Sequence, residues 1–148
     1  ESVLTYFKLI INLEDAQSTF AQVKRDLFNL NSKPDTFDQD QIIRVLNNVL
    51  NNAIEAVHED QEPEIALSLE LIEDSVLLTI KDNGRGIPTV LHDKIFEPNF
   101  TTKNSGMGLG LAMVKRIIDD VGGNIYFESQ QNKGTTFYIS LPLLKQKG

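Results

Sequence analysis

The chain has 148 residues, 41% hydrophobic and 24% charged, which suits one globular domain burying roughly 70% of the surface its unfolded form exposes. Its formal net charge of -7 argues against a nucleic-acid partner, because phosphate backbones are gripped by basic surfaces. It has no cysteine, which excludes a disulfide framework, a thiol nucleophile and a cysteine-held metal.

Residues 1–30 read as mostly helical. Val3, Leu4, Phe7, Ile10 and Ile11 share one helical face, and Phe20, Val23, Leu27 and Leu30 share another. The apolar tract from Val3 to Leu13 is broken by Thr5, Lys8 and Asn12. It falls short of the ~18 to 20 apolar residues that span a bilayer and lacks a signal peptide's basic leader. Because the first residue is Glu1, the chain is expected to be a fragment, and membrane anchoring of its parent stays open. Asn31 to Asp38 contains Pro34 and reads as a break. Residues 1–35 are therefore expected to be a mostly helical lead-in, and residues 36–145 the main domain.

Asp40 to His58 is expected to be a helix, with Ile42, Leu46, Val49, Leu50, Ala53 and Val57 on one face. Asn48, Asn52 and Glu55 form a row beside that stripe. Ile65, Leu67, Leu69 and Leu71 alternate, as do Val76, Leu78 and Ile80, which predicts a hairpin turning at residues 73–75. A short helix is expected over Thr89 to Ile95. Residues 97–108 are polar, glycine-containing and unpatterned, as functional or mobile loops are. A second helix is predicted from Leu109 to Val121, ended by Gly122 and Gly123. Ile125 to Ser129 and Thr136 to Leu141 read as a closing hairpin. This order gives an α+β fold, a two-layer sandwich with a mixed, mainly antiparallel sheet and helices on one face.

Gly106, Gly108 and Gly110 precede the second helix. Bare backbone at a helix start, where N–H groups are unpaired and the dipole is positive, suits an anion such as phosphate. Alone, the spacing is equally that of a packing turn. Asp82 ends a strand just before Gly84 and Gly86. A carboxylate there can accept a hydrogen bond from an exocyclic amine such as adenine's, with the glycines leaving room for a flat base. The plain alternative is a solvated Asp-Asn-Gly turn. Asn48 and Asn52 flank the apolar stripe of a helix, although asparagine is a mediocre helix former. Side-chain carbonyls in such a row can complete the oxygen shell of Mg²⁺; a polar helix edge facing water is the alternative.

Order and spacing say more than any single element. Asn48-Val-Leu-Asn-Asn52 resembles the N box of bacterial sensor histidine kinases, and Asp82-Asn-Gly84-Arg-Gly86-Ile87 their G1 box. Ile95 to Lys103 resembles the F box, and Gly106-Met107-Gly108-Leu109-Gly110-Leu111 the G2 box. Gly134-Thr135 is similar to the closing Gly-Thr strand of the wider superfamily, which includes gyrase, a heat-shock chaperone and mismatch-repair ATPases. The resemblance covers about residues 38–143. The Asn-Phe-Thr-Thr-Lys sequence at 99–103 is most like nitrogen-regulation-type kinases.

The resemblance implies a Bergerat-type ATP-binding fold with ATP and Mg²⁺ as ligands. By it, Asp82 binds the adenine amine, Thr135 supports the base, Asn52 ligates Mg²⁺, and Asn48 positions phosphate or metal. The glycines at 106, 108 and 110 hold phosphates. Gly84, Gly86, Ile87, Phe96, Met107, Leu109 and Leu111 border the nucleotide. Residues 97–105 form a lid, with Phe100, Thr101, Thr102 and the γ-phosphate candidate Lys103. The implied partners are a phosphoacceptor histidine domain of the same protein and a response regulator. The full-length protein is expected to dimerise through that missing domain, and this portion to be cytoplasmic. Where hydrolytic cousins carry a Glu that activates water, this chain has Asn48, so hydrolysis is expected to be weak. A serine kinase or ATPase on the same fold, or a non-catalytic ATP sensor, are the competing readings. His58 and His92 lack the surroundings of a phosphoacceptor. The chain departs from the family at Glu55, where many kinases carry a basic residue, and in residues 1–35, which match no obvious first strand.

Overall fold

The computed structural model describes residues 5–10, 18, 25, 39–72, 75–98 and 111–142. These include five strands: β1 (Thr5–Ile10), β2 (Ile65–Ile72), β3 (Ser75–Lys81), β4 (Asn124–Gln130) and β5 (Gly134–Pro142). Two helices, α1 (Gln39–Glu55) and α2 (Leu111–Asp120), and a 3-10 turn at Thr89–Leu91 are described with them.

The strands form one sheet in the order β1-β2-β3-β5-β4. Each adjacent pair runs antiparallel, so among the described residues the sheet, expected to be mixed but mainly antiparallel, is antiparallel throughout. The last strand enters between β3 and β4, and its direction opposes both.

Alternation places every second residue of the inner strands on one face. Rows run across the sheet through Leu69, Leu78, Ile139 and Ile125, and through Leu67, Ile80, Phe137 and Phe127. All but the half-buried Phe127 are buried. The helices cover this face, α1 with Val45, Leu46, Val49, Leu50 and Ala53, and α2 with Leu111, Val114, Ile117 and Ile118. Burying such an aliphatic side chain is worth roughly 1.5–3 kcal/mol, so this two-layer seam holds the domain together. Gly122 then stops α2. With φ of +81° it takes the left-handed conformation open to glycine, while Gly123 N–H donates to the Ile118 carbonyl at 2.9 Å. These are the features of a Schellman cap.

Over Thr5–Ile10 the structure replaces the expected helix with a strand, pairing Tyr6 with Leu69 and Lys8 with Leu67. Apolar residues at helical spacing misled there, because an edge strand is held by ladder hydrogen bonds that need no alternation. The strand also supplies the sheet edge that residues 1–35 had seemed to lack. Ser18 and Arg25 carry helical backbone; Phe20, Val23, Leu27 and Leu30 lie outside the described residues. No helix among the described residues is long and apolar enough to cross a membrane.

Candidate functional site

Asp82 leaves β3 one residue beyond the ladder, and its backbone N–H donates to the Thr135 carbonyl at 2.8 Å. The side chain is 4% exposed. Its Oδ1 accepts from the N–H of Gly84 at 2.8 Å and of Thr135 at 3.2 Å, the latter from 53 positions away. Burial pushes the carboxyl pKa above its ordinary value, and the two N–H donors offset that only in part. Both bonds engage Oδ1. An ionised carboxylate has lone pairs on two oxygens, so Oδ2 retains acceptor capacity for a ligand.

The glycines beside Asp82 have a different use from the one expected. A Cβ on Gly84 would sit 2.5 Å from the Ala56 carbonyl oxygen, just past α1, and Arg85 N–H donates to that oxygen at 2.9 Å. Gly86 has φ of +72°, and a Cβ there would overlap the Gln130 backbone. Asn132 N–H donates to the Arg85 carbonyl at 2.7 Å. The space these glycines leave is thus taken up by protein backbone, joining the end of α1, the exit of β3 and the β4–β5 turn. Asn83 is no solvated turn residue: its Oδ1 accepts from Glu64 N–H at 2.9 Å, and its Nδ2 donates to the Glu62 carbonyl at 3.1 Å.

Sequence reasoning missed Ser129. Its Oγ accepts from Ile87 N–H at 2.8 Å and lies 3.2 Å from the Gly134 carbonyl oxygen and 2.7 Å from Thr135 Oγ1. The hydroxyl therefore ties the loop after Gly86 to the strand bearing Thr135. The signal was available, since the hairpin register sets Ser129 opposite Thr135. A cavity of about 460 Å³ opens at this end of the sheet, bordered by Asp82, Ser129, Gly134 and Thr135, with Lys81, Glu128 and Lys133 at its rim.

Asn48 and Asn52 lie one turn apart on α1. Asn48 Nδ2 donates to the Arg44 carbonyl at 2.9 Å. The Asn52 amide nitrogen is buried with no hydrogen-bond partner, a state that costs about 1–3 kcal/mol unless something fills it. The two ends of a carboxamide interchange by a half-turn, so this orphaned group can offer oxygen or N–H to a ligand. No cluster of three or more His, Cys, Asp or Glu suited to a metal occurs among the described residues. Mg²⁺ needs none, since it takes one or two protein oxygens alongside phosphate and water, and Asn52 fits that demand. Asn52 connects to the Asp82 region through its own carbonyl, which accepts from Ala56 N–H at 3.0 Å, one residue-link from Arg85.

Three more of the expected site residues touch the core. Leu111 is buried in the core, and Ile87 and Phe96 pack against it. Phe96 meets the Phe127 ring edge-on at 6.0 Å, and the half-buried His92 meets it at 5.0 Å. His92 Nε2 bonds to the Ile87 carbonyl at 2.9 Å, which pins the 3-10 segment. His58 and Glu55 are exposed. Phe100, Thr101, Thr102, Lys103, Gly106, Met107, Gly108, Leu109 and Gly110 lie outside the described residues.

Residues 37–145 match the family model described as "Histidine kinase-, DNA gyrase B-, and HSP90-like ATPase". The chain is 41% identical over 106 residues to the sensor histidine kinase ZraS of Escherichia coli, covering 72% of this chain and 22% of that protein. It is 35% identical over 147 residues to the sensory histidine kinase/phosphatase NtrB of Azospirillum brasilense, covering 88% of this chain and 36% of that protein. It therefore spans well under half the length of these curated relatives. Among solved structures, the nucleotide-free catalytic domain of histidine kinase ThkA superposes with a TM-score of 0.65 and 31% identity, over 93% of this chain and 95% of that one. By its strand order, its buried strand-end carboxylate and these matches, the chain belongs to the histidine kinase-, DNA gyrase B- and HSP90-like ATPase family and has the fold of a histidine kinase catalytic domain.

Proposed function

We propose that this chain binds Mg-ATP and donates the γ-phosphate to a histidine on a separate phosphoacceptor domain of its parent protein, as a step in two-component signalling. One observation carries the reading: a buried aspartate, Asp82, with one oxygen held by two backbone N–H groups and the other left to accept from an adenine amine. Thr135 faces the same base, and Asn52 holds Mg²⁺. When bound, that ion neutralises phosphate charge. Asn48 orients the phosphates, while Gly106, Gly108 and Gly110 cradle them through N–H groups. Phe100, Thr101, Thr102 and Lys103 belong to a lid over residues 97–105, with Lys103 reaching the γ-phosphate, and Met107 borders the nucleotide.

Phosphoryl transfer asks for positioning and charge neutralisation more than covalent chemistry, and this domain supplies both. Asn48 has no basic group to activate water, which favours transfer over hydrolysis. The acceptor domain lies outside this chain and is expected to dimerise the parent. The phosphoryl group then passes to a response regulator, and membrane anchoring would belong to the parent. The match to a protein named NtrB supports a nitrogen-regulation-type parent. The lead-in over 1–35 and the catalytic domain over 36–145 meet in one sheet through β1.

The test supplies radiolabelled Mg-ATP together with a histidine-bearing dimerisation hairpin from a related kinase. Acid-labile label on the hairpin is the expected result. Rapid release of free phosphate without the hairpin would make the chain an ATPase instead, and absence of any adenine-nucleotide affinity would end the reading.

A further inference from the structure

We infer that Asn83 is a positioning residue that holds the metal-bearing end of α1 at a fixed span from the strand exit that carries Asp82. The inference rests on the assignment of Asn52 to Mg²⁺ and of Asp82 to the base above.

The β2–β3 ladder pairs Ala66 with Lys81, and the same register carried two residues further sets Glu64 opposite Asn83. There the side chain, rather than the main chain, makes the bonds. Oδ1 accepts from Glu64 N–H at 2.9 Å, and Nδ2 donates to the Glu62 carbonyl at 3.1 Å. A carboxamide has one accepting end and one donating end. A half-turn would set donor against donor and acceptor against acceptor, so the two partners fix this orientation. An ionised aspartate has the same shape but no proton to give. It would face the Glu62 carbonyl within a segment that carries Glu59, Asp60, Glu62 and Glu64.

The next two residues grip the other end of the same connection. Arg85 N–H donates to the Ala56 carbonyl at 2.9 Å, and Gly84 lies so near Ala56 that a Cβ would overlap it. Ala56 N–H in turn donates to the Asn52 carbonyl at 3.0 Å. Residues 56–64, the link from α1 to β2, are therefore pinned at both ends to residues 83–85. Removing the Asn83 carboxamide releases one pin, and the end of α1 can then shift relative to Asp82. The Asp82 carboxylate does not depend on that pin, since Gly84 and Thr135 N–H groups steady it. The loss should fall on the metal and phosphate end of the ligand and spare the base end.

The experiment measures, by calorimetry on the full chain, ADP affinity with Mg²⁺ and again with the metal chelated; the ratio is the gain due to the metal. Asn83→Ala is expected to cut that gain by about 3- to 10-fold, the share of one or two neutral hydrogen bonds, while metal-free affinity holds. Asn83→Asp keeps the volume and the bond from Glu64 but lacks the donor, and its gain should likewise fall below wild type. A merely structural asparagine would weaken both affinities alike, so a wild-type ratio in Asn83→Ala overturns the proposal even if the melting temperature drops. Melting curves without nucleotide show whether each variant folds. Should Asn83→Ala fail to fold, Asn83→Asp decides the matter, and a wild-type ratio there overturns the proposal. A wild type that gains nothing from Mg²⁺ removes the Asn52 assignment and this inference with it, whereas a gain untouched by the Asn83 variants removes this inference alone.

Discussion

Asp82 is held in a way that sets function against stability. Its carboxyl pKa is raised mainly by burial, so the native state binds this proton more tightly than the unfolded chain does. By linkage, stability of the nucleotide-free chain should fall as pH rises from the ordinary carboxylate value through the raised one, and level off above it. Asp82→Asn should flatten that slope, measured by thermal melting across pH, and leave the melting temperature at neutral pH unchanged or higher. The same variant keeps an oxygen for the Gly84 and Thr135 N–H groups but turns an amide toward the adenine amine. Its ATP affinity should drop by about 10- to 150-fold, the worth of a charge-assisted hydrogen bond; a calorimetric affinity equal to wild type would remove Asp82 from the site. Asn52 behaves in the opposite sense. Its amide nitrogen has no partner to lose, so Asn52→Ala should shift urea-measured stability by no more than about 1 kcal/mol while abolishing the Mg²⁺-dependent part of ATP affinity. Asp82 and Asn52 stand out in the sequence through the order and spacing of the motifs that carry them, since each alone reads equally as a solvated turn or a polar helix edge. Ser129 does not, because serine at a strand end is unremarkable until the register brings Thr135 to it.

Among the elements, the helices and inner hairpins follow from periodicity, since a face buried against another layer writes its spacing into the sequence. Ile118, fully buried on α2, belongs to that face, and Ile118→Ala should cost about 2–5 kcal/mol in urea denaturation. The edge strand β1 follows no such rule, because one neighbour's ladder is enough to hold it. The glycines at 84 and 86 were found for the right place and the wrong reason. Their missing side chains admit Ala56 and Gln130, and no pattern within residues 82–86 reveals which backbone comes near. Gly86→Ala meets both positive φ and overlap with Gln130, so a loss of about 1–3 kcal/mol or more is expected, with ATP affinity falling as the strand exit shifts. A melting temperature equal to wild type would show that the turn relaxes freely.

For the molecule as a whole, composition bounded the size and argued against a nucleic-acid partner, but neither the strand order nor the partner domain can be read from it. Two-state unfolding should be displaced by ligand through mass action: ATP at a hundred times its dissociation constant should add about 2.7 kcal/mol of stability, seen as a rising melting temperature in the presence of Mg²⁺. The strand order has a further consequence. β5 follows β4 in the chain, yet it lies between β3 and β4, and it brings both the N–H that steadies Asp82 and the threonine beside it. A chain emerging from the ribosome therefore carries a raw β-edge along β3, and half a pocket, until β5 has been threaded home. Nucleotide capture would then report that β5 is in place, and a premature stop before Gly134 would yield a product that sticks to its neighbours rather than one that merely binds weakly.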